Sequence, residues 1–250
     1  MKKILVFISV ALLSILFIER LAIKDFFYKI SQPTLPKAQS VEEFVPKIIS
    51  MKSDETVEYL LPSSINLEVP FTIQAPHQNW DLPYQEACEE ASLIMVDYFY
   101  KSKKLTPATA DSEIKKLVEW QNNEIGDYKD TNALQNVEII NRYFGYSKVD
   151  LLFDFTSDDI RRELAEGRPV LLPMAGRELK NPYYTAPGPI YHMLVVKGYT
   201  EDGQFITNDP GTRKGADYIY NKIDLLKANH DWNNGDVING KKVMIVIYPN

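Results

Sequence analysis

The stretch Tyr191-His192-Met193-Leu194-Val195-Val196-Lys197-Gly198-Tyr199-Thr200-Glu201-Asp202-Gly203-Gln204-Phe205-Ile206-Thr207-Asn208-Asp209-Pro210-Gly211 decides the fold of this chain. Two apolar runs, 191–199 and 204–208, flank the turn-forming Thr200 to Gly203, the pattern of a β-hairpin. If the hairpin folds about Glu201 and Asp202, facing residues have numbers that sum to about 403. That register sets His192 across from Gly211 and close to Asp209. A histidine at the head of an apolar strand needs a polar partner. An acid so placed holds one imidazole tautomer and orients the ring. Asn208-Asp209-Pro210-Gly211 is also a plain turn by composition, since Asp, Pro and Gly each favour turns for local reasons.

Upstream of this hairpin the texture is helical. A helix is expected from Tyr84 to about Lys101, with Ala87, Ala91, Ile94, Met95, Tyr98 and Phe99 on one face at 3.6-residue spacing. Helices follow over 108–121 and over 131–144, the latter stopped by Gly145. A strand over 149–153 then leads to a helix over 157–165, N-capped by Ser157 and closed by Gly167. Residues 168–174 form an apolar strand that pairs only beyond Pro169, and 242–248 a closing strand. Before the first helix, Ile65, Leu67, Val69 and Phe71 alternate with polar residues as a strand that ends near Pro70. The loop 75–83 follows it. Helices first and an antiparallel sheet second make an α+β domain over residues 64–250.

The N-terminus has another character. Lys2-Lys3 precedes an apolar run from Ile4 to Ile18 broken only by Ser9 and Ser14, the signature of an export signal or a membrane anchor. Glu19-Arg20-Leu21-Ala22-Ile23-Lys24 offers no small-x-small cleavage site, which favours an uncleaved transmembrane helix over 1–24. The two lysines keep that end cytoplasmic and the rest of the chain extracytoplasmic. Residues 25–63 are Pro-punctuated and polar, a tether with a weak helical period over 41–49.

The chain has 250 residues, 45% of them hydrophobic, and a formal net charge of -6. That fits one domain with its own core and argues against a nucleic-acid partner, which requires clustered Lys and Arg. There is a single cysteine, Cys88, so no intramolecular disulfide forms. A lone thiol is by default a small buried core residue. At the start of a helix, however, unpaired amides and the macrodipole favour the thiolate and lower its pKa toward neutrality, while Glu89 and Glu90 oppose this. A thiol nucleophile needs a base that exchanges a proton near neutral pH. Three histidines are available, His77, His192 and His230, and His192 alone heads an apolar strand.

The ordered set Val69-Pro70-Phe71-Thr72-Ile73-Gln74, Glu86-Ala87-Cys88-Glu89-Glu90-Ala91-Ser92-Leu93-Ile94-Met95, His192 to Tyr199 and Asn208-Asp209-Pro210 resembles the bacteriocin-processing peptidase-like family, a papain-like cysteine peptidase group. The resemblance implies a papain-like fold with the helical part packed on the antiparallel sheet. It also implies Cys88 as nucleophile, His192 as base, Asp209 as orienting acid and Gln74 as oxyanion donor, with Gln85 nearer in sequence. A peptide or amide substrate follows from it, with a thioester acyl-enzyme and no cofactor or metal. Glu89 stands where the family usually has a small Gly. The transporter domains of the bacteriocin-processing members are absent, so their leader peptides are not implied as substrate.

Three other readings stay open at this stage. A catalytically inactive binding module for peptide or cell-wall polymer would use the aromatic loops around Trp80 and Tyr183-Tyr184. An amidase or a transferase would share the same acyl-enzyme. A zinc site on Cys88, His192 and Asp209 lacks the close ligand pairs of such sites. The Tyr- and Pro-rich stretch 181–191 is either a rigid surface loop or a wall of the substrate cleft.

Overall fold

The computed structural model describes residues 23, 33–44, 49–53 and 56–250; the N-terminal run read as a membrane anchor lies outside them. Among the described residues no helix is long and apolar enough to cross a membrane. The chain divides into two units, Met1–Thr34 and Leu35–Asn250, and the second carries the elements that follow.

Two short strands, β1 (Ile49–Ser53) and β2 (Thr56–Leu60), form an antiparallel hairpin. Ile49 therefore opens a strand where a weak helical period had been read, and 45–48 lie outside the described residues. β3 (Ile65–Asn66) comes next, then a single 3-10 turn at Tyr84–Glu86 and helix α1 (Cys88–Tyr100). Helices α2 (Pro107–Glu124) and α3 (Ala133–Ile139) complete the helical part, and α3 continues as a π turn to Phe144. Gly145, at φ 80°, stops it. That is a conformation a side chain resists and glycine does not.

The second half is strand-rich. β4 (Lys148–Phe153), α4 (Ser157–Ala165), β5 (Val170–Ala175), β6 (Tyr191–Tyr199), β7 (Phe205–Asn208), β8 (Tyr218–Tyr220), α5 (Lys222–Ala228) and β9 (Val243–Tyr248) follow in order. They form an antiparallel sheet of order β4-β9-β5-β6-β7-β8, with β3 pairing β6 off this path. Every residue of β5, β6 and β7 is buried. Successive strand side chains point to opposite faces, so both faces of the central sheet are covered. The α+β architecture matches the sequence reading.

Four local readings need correction. Helix α1 is buried on all sides from Cys88 to Asp97, not on one face. Its polar residues therefore need internal partners: Ser92 Oγ donates to the Met193 carbonyl at 3.2 Å, and Asp97 accepts from Tyr146 Oη at 3.0 Å. Thr156, not Ser157, caps α4, because Thr156 exchanges hydrogen bonds with the Asp159 amide and carboxylate in a capping box. β3 pairs for two residues only. Beyond it Pro70 has no N–H to give, and the carbonyls of Val69 and Pro70 are taken instead by Asn208 Nδ2 at 3.0 and 3.3 Å. Fourth, β8 and α5 were not anticipated.

The β6–β7 register does follow the expected rule. Val195 faces Asn208 and Val196 faces Thr207, each pair summing to 403, and a bulge shifts the register by one beyond Val196. Gly198 sits past the bulge, where a Cβ would lie 2.2 Å from the Ile65 carbonyl oxygen. Glycine at this position lets β3 reach β6. Residues 35–44, within the stretch read as tether, also touch this region: Gln39 bridges Leu67 in parallel, and Asn66 Nδ2 donates to the Pro36 carbonyl at 3.0 Å.

Candidate active site

The site is assembled where the N-terminus of α1 meets β6. Ala87 precedes the helix with no side-chain cap, so the first amides of α1, beginning with that of Cys88, have no side chain of the preceding residue to satisfy them. They are ready donors for a developing negative charge. The α1 backbone is held against β6 by Ser92, one turn after Cys88, through the carbonyl of Met193. Met193 directly follows His192, so the nucleophile candidate and the base candidate reach the same point of the sheet from two elements.

His192 is 1% exposed and its Nε2 lies 2.8 Å from Asp209 Oδ1. An ionised carboxylate only accepts, so Nε2 carries the proton and Nδ1 is left as the basic nitrogen. Asp209 is fully buried and accepts from five donors. Oδ1 takes His192 Nε2 and the Gly211 amide at 2.9 Å; Oδ2 takes Tyr184 Oη at 2.7 Å, Tyr220 Oη at 2.7 Å and Asn181 Nδ2 at 3.1 Å. Burial pushes the Asp209 carboxyl up, but the His192 ring and the hydroxyls of Tyr220 and Tyr184 outweigh it and hold the group below the ordinary carboxylate range. Burial first, then the same carboxylate, drives the Tyr184 and Tyr220 hydroxyls well above theirs. Tyr184 also meets the His192 ring edge-on, at 5.6 Å between centroids.

The expected approach of His192 to Gly211 is present. A Cβ on Gly211 would lie 2.9 Å from His192 Cε1 and 3.2 Å from Asp209 Oδ1. The other histidines are engaged elsewhere or open to solvent: His230 Nδ1 donates to the Gly240 carbonyl at 2.9 Å, and His77 is exposed.

Cys88 lies near the helix start as expected, but the α-helix begins at Cys88 itself and not at Tyr84, whose segment is a 3-10 turn; Cys88 is buried. Its thiol donates to Glu89 Oε2 at 2.9 Å. The expected lowering of its pKa by the helix start does not prevail. Burial first, then the Glu89 and Glu90 carboxyls, push the thiol well above its ordinary value, and the Met193 backbone works weakly the other way. Glu90, wholly buried behind it, is itself pushed up to about 8, mainly by burial.

Gln74 is buried and bridges the two halves of the site. Its amide N–H donates to the Pro210 carbonyl at 3.0 Å, just past Asp209. Its side-chain Nε2 donates to the carbonyls of Tyr84 at 2.9 Å and Gln85 at 3.0 Å, in the turn that delivers Cys88. Both hydrogens of that amide are thus committed to the Cys-bearing turn, and Gln85 contributes its carbonyl while its side chain is exposed. Among the described residues no group of three or more His, Cys, Asp and Glu side chains is arranged to hold a metal ion.

Sequence reasoning did not find Asn181, Tyr184 and Tyr220 as partners of Asp209. The tyrosine-rich stretch 181–191 was visible, but its composition suited a loop or a cleft wall. Tyr184 instead turns inward as a carboxylate donor. The direction of Glu89 was equally hidden, because a first-turn Glu is ordinarily exposed.

An α+β domain whose uncapped helix start presents a cysteine to an antiparallel strand carrying a carboxylate-held histidine is, by fold and layout, a papain-like thiol-peptidase class of protein. The model of the Peptidase_C39-like family matches residues 66–235, and the chain belongs to that family. Similar solved structures include a Bacillus anthracis protein described as C39-like, 15% identical, covering 77% of this chain and 98% of that one at a TM-score of 0.49. A fragment of prointerpain A from Prevotella intermedia is 13% identical and covers 81% of this chain and 76% of that one, also at 0.49. Among curated proteins none matches.

Proposed function

We propose that the chain is an extracytoplasmic, membrane-anchored cysteine peptidase or amide hydrolase acting through Cys88, His192 and Asp209. The observation that carries this reading is the buried 2.8 Å contact between His192 Nε2 and Asp209 Oδ1, which frees Nδ1 for proton transfer beside the start of α1. His192 Nδ1 takes the Cys88 proton, and the thiolate attacks the carbonyl carbon of a peptide or amide. The oxyanion is received by the Cys88 amide N–H, joined by Gln74 if one of its two hydrogens leaves the Tyr84–Gln85 turn. Collapse of the tetrahedral species breaks the C–N bond, and the leaving amine departs with the proton held on His192. Water, deprotonated by the same nitrogen, then attacks the thioester, releases the acid and restores the thiol. The test is hydrolysis of a fluorogenic peptide library by the full chain beside Cys88→Ala. Turnover lost in the variant supports the reading, and equal turnover overturns it.

Residues 1–24 are proposed as the anchor on the apolar run behind Lys2-Lys3, 25–63 as the connecting segment, of which Pro36 and Gln39 dock on the domain, and 64–250 as the catalytic domain. Membrane fractionation of the full chain beside a chain lacking 1–24 tests this. Recovery of both in the soluble fraction overturns it.

A second reading is favoured by one contact, the Cys88 thiol held by Glu89. In it the domain is an inactive binding module for peptide or cell-wall polymer, with the exposed Trp80 at its rim. Labelling by a thiol-directed acyl probe separates the two: the module predicts no Cys88-dependent label.

A further inference from the structure

Glu89 is buried, 1% exposed, immediately after the nucleophile and with both carboxyl oxygens engaged. Oε2 accepts from the Cys88 thiol at 2.9 Å and Oε1 accepts from the Thr131 amide at 3.0 Å. The Thr131 segment is fixed in turn. Its carbonyl accepts from Asn136 Nδ2 at 3.0 Å and from Tyr191 Oη at 3.0 Å, and Tyr191 directly precedes His192. A carboxylate pinned from both sides cannot swing out to solvent, so its orientation toward sulfur is built into the fold.

We infer that Glu89 is a positioning residue that clamps Cys88 as the neutral thiol, and that neutralising the Glu89 carboxylate releases the nucleophile to His192. This rests on Cys88 being the nucleophile of the proposed reaction. The physical basis is the polarity of one hydrogen bond. With Glu89 ionised, sulfur is the donor, and a thiolate there would face a carboxylate at contact distance in a low-dielectric interior. With Glu89 protonated, the same Oε2 becomes the donor and supports the thiolate. One proton therefore reverses the effect of an unchanged contact.

The groups around Glu89 set the pH at which the clamp engages. Glu90 faces it from α1, Asp130 from the segment before α3, and Tyr191 from β6 with Asp231 beyond it. All are acids or a neutral hydroxyl. Burial and Glu90 push the Glu89 carboxyl well above the ordinary range, so the carboxylate, and with it the clamp, forms only as pH rises past that raised value.

The test is the pH profile of Cys88 alkylation by iodoacetamide in the full chain and in Glu89→Gln, with Cys88→Ala as the blank. Gln keeps the shape, can accept from the Thr131 amide and can donate to sulfur. Above the pH at which Glu89 ionises, the variant's alkylation rate exceeds that of the unmodified chain by at least about tenfold, and the midpoint falls by at least about one pH unit. An unchanged profile overturns the clamp. A slower one makes Glu89 the base of the thiol and overturns it as well. Should Glu89→Gln lose its cooperative melting transition, the ultraviolet thiolate band of the unmodified chain still decides: a midpoint at or below the ordinary thiol value of about 8.5 overturns the clamp. Alkylation needs no peptide turnover. A chain that alkylates as expected but hydrolyses nothing therefore counts against the peptidase reading alone.

Discussion

Gly211 stands so close to His192 that a methyl group there would lie 2.9 Å from the ring carbon Cε1. It would also meet Tyr184 Cε1 at 3.0 Å, so neither ring can give way without disturbing Asp209. Gly211→Ala is expected to lower kcat by about ten- to a hundredfold through displacement of the imidazole. Alkylation of Cys88 should change little, while the overpacking lowers stability by about 1–3 kcal/mol. Steady-state kinetics with an iodoacetamide control check this, and an unchanged kcat would show that the ring position does not limit the reaction.

Asp209→Asn replaces an acceptor of five hydrogen bonds by a group that offers two donors of its own. The His192 tautomer is no longer dictated, and kcat should fall on the order of 10³-fold. Stability should fall by about 2 kcal/mol or more, since the Tyr184 and Tyr220 hydroxyls face an N–H donor in the buried site. Single-turnover rates and chemical denaturation measure the two effects separately.

Asp209 and Glu90 predict opposite pH dependences of stability. Asp209 is held below its unfolded value of about 3.9, so its stabilising contribution is complete above that pH and is lost as pH falls through the folded value. Glu90 is raised to about 8, so the folded state keeps a proton that the unfolded chain has released above about pH 4.3. Stability therefore declines from there to about pH 8, by at most ~1.4 kcal/mol per pH unit for this one proton. Glu90→Gln should remove the part of the decline due to this proton and leave the part due to Glu89. Urea midpoints across pH for the two chains check it, and parallel curves would count against a buried, protonated Glu90.

Gln74→Ala leaves the carbonyls of Tyr84 and Gln85 without their donor. A loss of about 1–3 kcal/mol is expected, with a fall in kcat because the turn delivers Cys88. Gln74→Glu should be worse than Ala, since a carboxylate would face two carbonyl oxygens. Melting temperature and kcat for the pair decide; a Glu variant as stable as wild type would contradict the assigned contacts.

The parts of the site set by short-range rules were legible in the sequence. Turn chemistry at Thr200 to Gly203 fixed the β6–β7 register, and the register placed His192 near Asp209 and Gly211. Helical periodicity set a helix from Tyr84 with Cys88 in its first turns; the structure makes Tyr84–Glu86 a 3-10 turn and starts α1 at Cys88. What was not legible depends on long-range packing. Glu89 is inward because α1 is enclosed on every side, which its mixed composition hides. Tyr184 and Tyr220 reach Asp209 only after the 181–190 loop and β8 are laid against β7. β8 itself spans only three residues, too few for a period-2 pattern to stand out.

Asn208 Nδ2 holds the carbonyls of Val69 and Pro70, a contact between residues 139 and 138 positions apart in the chain. Gln74 adds a second tie to Pro210 beside it. Contacts of such high sequence separation form late, because the loop between them must be closed first. A ribosome-bound chain that has not yet delivered Tyr220 has a cysteine on its helix but no complete acid to orient a base. In the proposed peptidase, the full set of donors to Asp209 is therefore complete only once Tyr220 has been delivered.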